Sequence, residues 1–136
     1  MASSALEIHI DGGSRGNPGP AGYGVVICDE AGQIVERLHA YVGRQTNNYA
    51  EYCGLLAALR YAVAQSAARV RILADSQLLV RQMQGRYAVK SPNLKPLFEE
   101  ARSLARQIPD FAMTHVYREK NREADRLANL AMDQAQ

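Results

Sequence analysis

The sequence predicts an α/β fold: a five-stranded mixed β-sheet, with three antiparallel strands and then two helix-connected strands, flanked by helices. Three observations carry this expectation. The first third of the chain alternates apolar and polar residues in runs separated by short connections, the mark of an antiparallel meander. From Asn47 the apolar residues switch to helical spacing. Two short apolar runs then follow, each bracketed by helical stretches, which places them beside the meander as strands reached through helices.

In order, "LEIHID" puts Leu6, Ile8 and Ile10 on one face and Glu7, His9 and Asp11 on the other, giving a strand that ends near Asp11. "GYGVVICD" (Gly22–Asp29) is a second strand with a turn at "DEAGQ", and "IVERLHAYV" (Ile34–Val42) a third. In "NNYAEYCGLLAALRYAVAQ", Tyr52, Leu55, Leu56, Leu59 and Val63 share a helical face, with Asn47 or Asn48 as N-cap. "RVRILAD" (Arg69–Asp75) is a short strand with Val70, Ile72 and Ala74 on one face. "SQLLVRQMQG" opens with a Ser cap and stops at Gly85. "SPNLKPLFEEARSLARQI" starts at Ser91 or Asn93 and stops before Pro109. "FAMTHVY" is the fifth strand. "NREADRLANLAMDQAQ" is a final helix capped by Asn121, with Leu127, Leu130 and Ala131 on one stripe.

The 136 residues suit one domain spanning 1–136, and no repeat, linker or low-complexity segment divides them. With 47% apolar and 22% charged residues the chain is globular and not disordered. A formal charge of +2 is no signature of a nucleic-acid coat protein, but totals hide distribution. Between Ser76 and Phe98 there is no acid, while Arg81, Arg86, Lys90 and Lys95 all occur there, a cluster that suits either a solvated surface or a polyanion partner. Cys28 and Cys53 lack metal-site spacing and sit in apolar patterns, as buried free thiols of a reducing compartment do. "MASSALEIHID" has no basic start and no long apolar stretch, and no run approaches a membrane span, so a cytoplasmic monomer without a membrane partner is expected.

The Gly-rich stretch "IDGGSRGNPGPAGYG" (Ile10–Gly24) invites a phosphate-loop reading, but neither GxxxxGK[ST] nor GxGxxG spacing is present. There is no GxSxG elbow, and His9, His39 and His115 all lie in strand patterns, where histidines are usually structural. Carboxylates remain. Asp11 and Asp75 end strands, while Glu51 and Asp125 fall in the first turns of helices. Strand ends and helix starts meet along one edge of an α/β layer, so the four can converge. Each alone has an ordinary explanation at a strand end or near a helix dipole. Together they are hard to keep ionised without cations, and Mg²⁺ takes carboxylate oxygens. Two such ions about 4 Å apart clamp the attacking and leaving oxygens of a phosphodiester.

"DGGSRGNPGPAGYGVVI", "TNNYAEYCGLLAAL", "ADSQLLV" and "REKNREADRLANLA" together resemble the four signature segments of type 1 ribonuclease H, in that family's order and across nearly the whole chain. The resemblance implies a ribonuclease H-like fold and endonucleolytic hydrolysis of the RNA strand of an RNA/DNA hybrid duplex. It further implies a two-metal-ion mechanism using Mg²⁺, with Mn²⁺ possible, that leaves 3′-hydroxyl and 5′-phosphate ends. Asp11, Glu51, Asp75 and Asp125 match the family's metal-binding carboxylates. Asn17, Asn47, Asn48 and Gln77 match hybrid-contacting positions, and Gly12 and Gly13 would let backbone lie against the RNA strand. Such neutral groups suit recognition of the 2′-hydroxyl, the handle that distinguishes RNA from DNA. Arg44 and Thr46 match a pocket for a DNA-strand phosphate.

The chain also departs from the family pattern. Only "QGRYAVKSPN" stands where many members carry a basic protrusion, and there is no Trp, so this resembles the compact form. Arg81, Arg86, Lys90 and Lys95 then carry more of the hybrid binding. Ser91 falls where an Asn often completes the phosphate pocket. Longer members have a His in the loop before the last helix. An ungapped count puts His115 there, whereas "THVY" read as strand leaves the loop as "REKN" and makes Arg118 the residue that reaches the site; the second reading is preferred. Arg118 is permanently cationic, so it suits orienting phosphate or helping product leave, not acting as a base. Competing readings are another nuclease of the same superfold, a binding module that has lost catalysis, and a domain cut from a larger protein. The first lacks these motif combinations, the second is disfavoured by four intact carboxylates, and Arg15 has no assigned role.

Overall fold

The structure is a computed structural model and describes residues 5–134. The strands are β1 (Ala5–Ser14), β2 (Gly19–Cys28), β3 (Ile34–Gln45), β4 (Arg69–Ala74) and β5 (Asp110–His115). The helices are α1 (Asn47–Ala64), α2 (Gln77–Met83), α3 (Lys95–Arg106) and α4 (Arg122–Asp133), with a 3₁₀ turn at Arg118–Lys120. The five strands lie in the order β3-β2-β1-β4-β5. β1–β2 and β2–β3 are antiparallel, while β1–β4 and β4–β5 are parallel, as the helix-connected runs predict.

Both faces of the sheet are covered, and the strand alternation decides by what. Leu6, Ile8 and Ile10 of β1, Val25 and Ile27 of β2, and Val70 and Ile72 of β4 share one buried cluster with Tyr52, Leu55, Leu56 and Leu59 of α1. The opposite face buries Val26 against Ala124 and Leu127 of α4. A fully buried Leu or Ile side chain contributes about 1.5–3 kcal/mol by leaving water, so these clusters fix the sheet register firmly. Among the described residues no helix is long and apolar enough to cross a membrane.

Several boundaries differ from the sequence reading. β1 does not end near Asp11 but continues to Ser14. Its parallel partner β4 stops at Ala74, opposite Ile10, while antiparallel β2 pairs on past Asp11 to Ser14. Asp11 is therefore the first β1 residue with no β4 neighbour, and the sheet opens beside it. Thr46, not Asn47 or Asn48, caps α1: its hydroxyl accepts the Tyr49 N–H at 3.1 Å. This moves Glu51 just beyond the first turn. α3 begins at Lys95 with Leu94 as its cap, because residues 91–94 form a separate turn and Pro96 lies in the opening helical positions, where it needs no donor. Leu130 is 40% exposed; the buried stripe of α4 is Ala124, Leu127, Ala128, Ala131 and Met132. Cys28 and Cys53 are free, as expected, but half-buried.

Candidate active site

The carboxylates reach one cleft from four elements. Asp11 comes from β1 where β4 gives out, Asp75 from the residue after β4, Glu51 from α1 and Asp125 from the first turn of α4. The cleft has a volume of about 630 Å³ and is also lined by Gly12, Gly13, Asn47, Ser76, His115 and Arg118. Asp11 Oδ1 accepts the Gly12 N–H at 2.9 Å, which aims the carboxylate out of the strand.

Crowded acids resist ionisation. Burial, then the charges of Asp75, Asp125 and Glu51, pushes the Asp11 carboxyl up to about 8. Burial, with Asp75 nearby, pushes Glu51 up to about 7 against the lowering effect of the Ser76 hydroxyl. Asp75 is raised by burial too, with the Arg118 guanidinium opposing the rise. Cations would relieve this conflict, and all four donors offer the hard oxygens that Mg²⁺ accepts. No three His, Cys, Asp or Glu side chains among the described residues form a ready-made metal cage. An open set of acids of this kind still fits Mg²⁺, which keeps several waters and shares its coordination with a bound phosphate.

Arg118 and His115 both line the cleft. His115 stays in β5, opposite Ala74, and packs edge-on against Tyr117 at a centroid distance of 5.4 Å. Arg118 opens the 3₁₀ turn and faces Asp75, as the short-loop reading expects.

The Asn and Gly positions divide between framework and surface. Asn17 Oδ1 accepts the Asn47 N–H at 3.0 Å, and Asn47 Oδ1 accepts the Ser14 N–H at 2.7 Å, so the pair ties the β1–β2 hairpin to the start of α1. Asn48 Oδ1 is buried and has no hydrogen-bond partner among the described residues. A Cβ on Gly12 would stand 2.5 Å from the Ala50 carbonyl carbon and the Glu51 nitrogen. The space a side chain would need is thus filled by α1, while the Gly12 backbone still lines the cleft. Gly13 has ordinary clearance, its nearest neighbour being Met132 Cε at 3.6 Å. Gln77 and Arg44 do not line the cleft. Gln77 opens α2 and lines an adjoining hollow with Arg81, Arg86 and His115, while Arg44 is exposed on β3 opposite Pro20. Thr46 is engaged as the α1 cap.

Sequence reasoning left Arg15 unassigned and missed a side-chain role for Asn121. Arg15 pairs with Asp133 at 2.6 Å and reaches the Asn129 carbonyl at 3.3 Å, closing one end of the cleft against α4. Asn121 is buried, and its amide donates to the Ile10 carbonyl at 2.8 Å instead of capping α4. Neither partner is a sequence neighbour, so no local signal marks these contacts.

Comparison with known proteins adds three relatives. A family model described as reverse transcriptase-like matches residues 9–131. Bifunctional protein Rv2228c of Mycobacterium tuberculosis is 50% identical over 130 residues, covering 94% of this chain and 35% of the relative. The structure of its N-terminal RNase H domain, solved as a fusion with maltose binding protein, superposes with a TM-score of 0.94 at 47% identity, covering 98% and 96% of the two chains. Ribonuclease HI of Halobacterium salinarum is 42% identical over 130 residues, covering 96% of this chain and 65% of the relative. RNase H1 from that archaeon gives a TM-score of 0.91 at 40% identity, covering 96% and 99%. LC11-RNase H1, isolated from compost by a metagenomic approach, was solved in complex with RNA/DNA hybrid; its TM-score is 0.89 at 44% identity, covering 96% and 98%. The chain spans about a third of the length of the mycobacterial relative.

Proposed function

The chain belongs to the type 1 ribonuclease H family in its compact form, and from that membership we propose that it hydrolyses the RNA strand of RNA/DNA hybrids. The observation that carries this is the meeting of Asp11, Glu51, Asp75 and Asp125 in one open cleft with Arg118 beside Asp75. The reaction we infer is endonucleolytic, depends on a divalent metal, and leaves 3′-hydroxyl and 5′-phosphate ends. Two bound ions, Mg²⁺ or Mn²⁺, would supply an acidified water and the charge that offsets the developing oxyanion.

The protein's own groups do the rest. The four acids would hold the ions through their carboxylate oxygens. Arg118 lowers the charge repulsion at Asp75 and stands where a permanent cation meets phosphate. The buried, unpartnered Asn48 Oδ1 suits an acceptor kept for a hydroxyl donor, and the 2′-hydroxyl of the RNA strand is one. His115 lines both the cleft and the hollow that holds Gln77, Arg81 and Arg86. We read that hollow as the continuation of the duplex path, with Lys90 and Lys95 adding sequence-independent attraction. Arg44 and Thr46 remain assigned to a DNA-strand phosphate. The half-buried free thiols suit a reducing compartment, and the protein acts as a monomer in the cytoplasm.

The test is cleavage of end-labelled RNA/DNA, RNA/RNA and DNA/DNA duplexes with divalent metal and with EDTA. The expected result is metal-dependent cuts in the RNA of the hybrid, abolished by Asp75→Asn with the fold intact by circular dichroism. Full activity of that variant, or equal cutting of DNA/DNA, overturns the assignment.

A further inference from the structure

We propose that Asn121 is a positioning residue for the hydrolytic site, itself oriented by His9; this rests on the reading above and concerns how the site is held in shape. Asn121 occupies the N-cap position of α4, yet its side chain makes no capping bond and is 1% exposed. Its Nδ2 donates to the Ile10 carbonyl at 2.8 Å, and its Oδ1 faces His9 Nδ1 at 3.1 Å. A carbonyl can only accept, so the amide nitrogen must face Ile10 and the amide oxygen must face His9. His9 therefore carries its proton on Nδ1 and donates it to Asn121.

The backbone of the same residue reaches the other side of the cleft. The Asn121 N–H donates to the Arg118 carbonyl at 2.9 Å, closing the 3₁₀ turn, and the Asn121 carbonyl accepts the Asp125 N–H at 3.1 Å. One buried residue thus bonds the peptide preceding Asp11, the turn that carries Arg118 and the first turn of α4 that carries Asp125. These site residues come from segments more than a hundred positions apart in sequence, and Asn121 is the pin at which they meet. Its loss would let Ile10 and Asp11 shift against the start of α4, while the bonds that join the β1–β2 hairpin to α1 through Asn17 and Asn47 do not involve it. His9 lies on the α4 side of the sheet, away from the cleft and beside the hollow lined by Val26, Cys28 and Lys120, so it touches no reacting atom.

The experiment uses the full chain and four proteins: wild type, Asn121→Ala, His9→Leu and His9→Asn. Hybrid affinity is measured by fluorescence anisotropy in EDTA, and kcat and KM are measured with Mg²⁺. A misplacement of about 1 Å can cost about 100-fold in rate, so Asn121→Ala should lose about that much kcat, with KM and the EDTA affinity within about threefold of wild type. His9→Leu should lose about tenfold in kcat, and His9→Asn, whose amide can donate from nearly the same place as the imidazole, should recover most of it. Unchanged kcat in a folded Asn121→Ala overturns the proposal. So does a parallel loss of hybrid affinity, or a His9→Asn variant no better than His9→Leu. Should Asn121→Ala fail to fold, the two His9 variants decide the matter. Absence of hybrid cleavage by wild type would instead remove the parent reading.

Discussion

At Gly12 the backbone of α1 comes within reach of β1, and the missing side chain is what permits it. A Cβ there would meet main-chain atoms of Ala50 and Glu51 at 2.5 Å, and main chain cannot turn aside as a flexible side chain can. Gly12→Ala should therefore cost about 3 kcal/mol in urea unfolding and displace Glu51 with loss of activity. Gly13→Ala, with 3.6 Å of clearance, should stay within about 0.5 kcal/mol of wild type. If Gly13 borders the RNA strand, that variant will show a raised KM at unchanged stability; equal stability losses at both positions would refute the packing account. A second pair of residues separates the two readings of the catalytic loop. Arg118→Ala should lower kcat by about 100-fold, because a cation beside Asp75 is lost from a partly desolvated site. His115→Ala should cost much less, since His115 is anchored in β5; the opposite ranking in steady-state assays would reinstate the histidine. Asp75 and Asp125 were legible because a strand end and a helix start leave a periodic trace; Asp11 and Glu51 lie a few residues off those boundaries and still reach the cleft. The reason for Gly12 was not, because only the approach of α1 creates the demand.

Elements were easier to find than their edges. The five strands and four α-helices among the described residues follow from apolar period together with caps and stops, yet β1 runs three residues past Asp11 because β2 continues to pair with it. Asn121 was correctly placed at the start of α4, but its side chain turns inward to Ile10, a partner no local pattern reveals. α4 is further braced on its outer side. Glu123 accepts from Arg37 of β3 at 3.0 Å and from Arg126 at 2.8 Å. Those guanidinium groups, Arg126 first, pull the Glu123 carboxyl down to about 2. Its folded value lies below the unfolded one, so the stabilisation is full above about pH 4.3 and disappears as pH falls toward about 2. The pairs are solvent-exposed, so the gain is small and screened by salt. Glu123→Gln should lower the melting temperature by a constant margin at neutral pH, and the margin should close in acid. A margin that persists undiminished at about pH 2 would assign the effect to packing instead.

Across the whole molecule the sheet order sets up the site and also its cost. Parallel β4 and antiparallel β2 flank β1, and where β4 ends, Asp11 of β1, Asp75 after β4, Glu51 of α1 and Asp125 in the first turn of α4 come together. That convergence was foreseeable from sequence order and strand–helix alternation. The strength of the mutual repulsion was not, since it depends on how deeply α1 and α4 bury the acids. In the absence of divalent ions, Asp11 is held up to about 8 and Glu51 up to about 7, both well above unfolded carboxylates. A raised carboxyl keeps in the folded state a proton that the unfolded chain has already lost. Folding then takes up protons, and the metal-free protein should lose stability as pH climbs from about 4 to about 8, the window between unfolded and folded values. A bound divalent ion favours the ionised acids and expels those protons, so its stabilisation should grow over the same window. Melting temperatures in EDTA should thus fall between about pH 5 and about pH 8, and the increment given by Mg²⁺ should be larger at the higher pH. Asp11→Asn removes the most strongly raised acid, so in EDTA it should melt above wild type at alkaline pH while losing most of the Mg²⁺ increment. An Mg²⁺ increment that is the same at both pH values, or an Asp11→Asn variant less stable than wild type in EDTA, would mean that the acids are not in conflict and that the cleft is not arranged around cations.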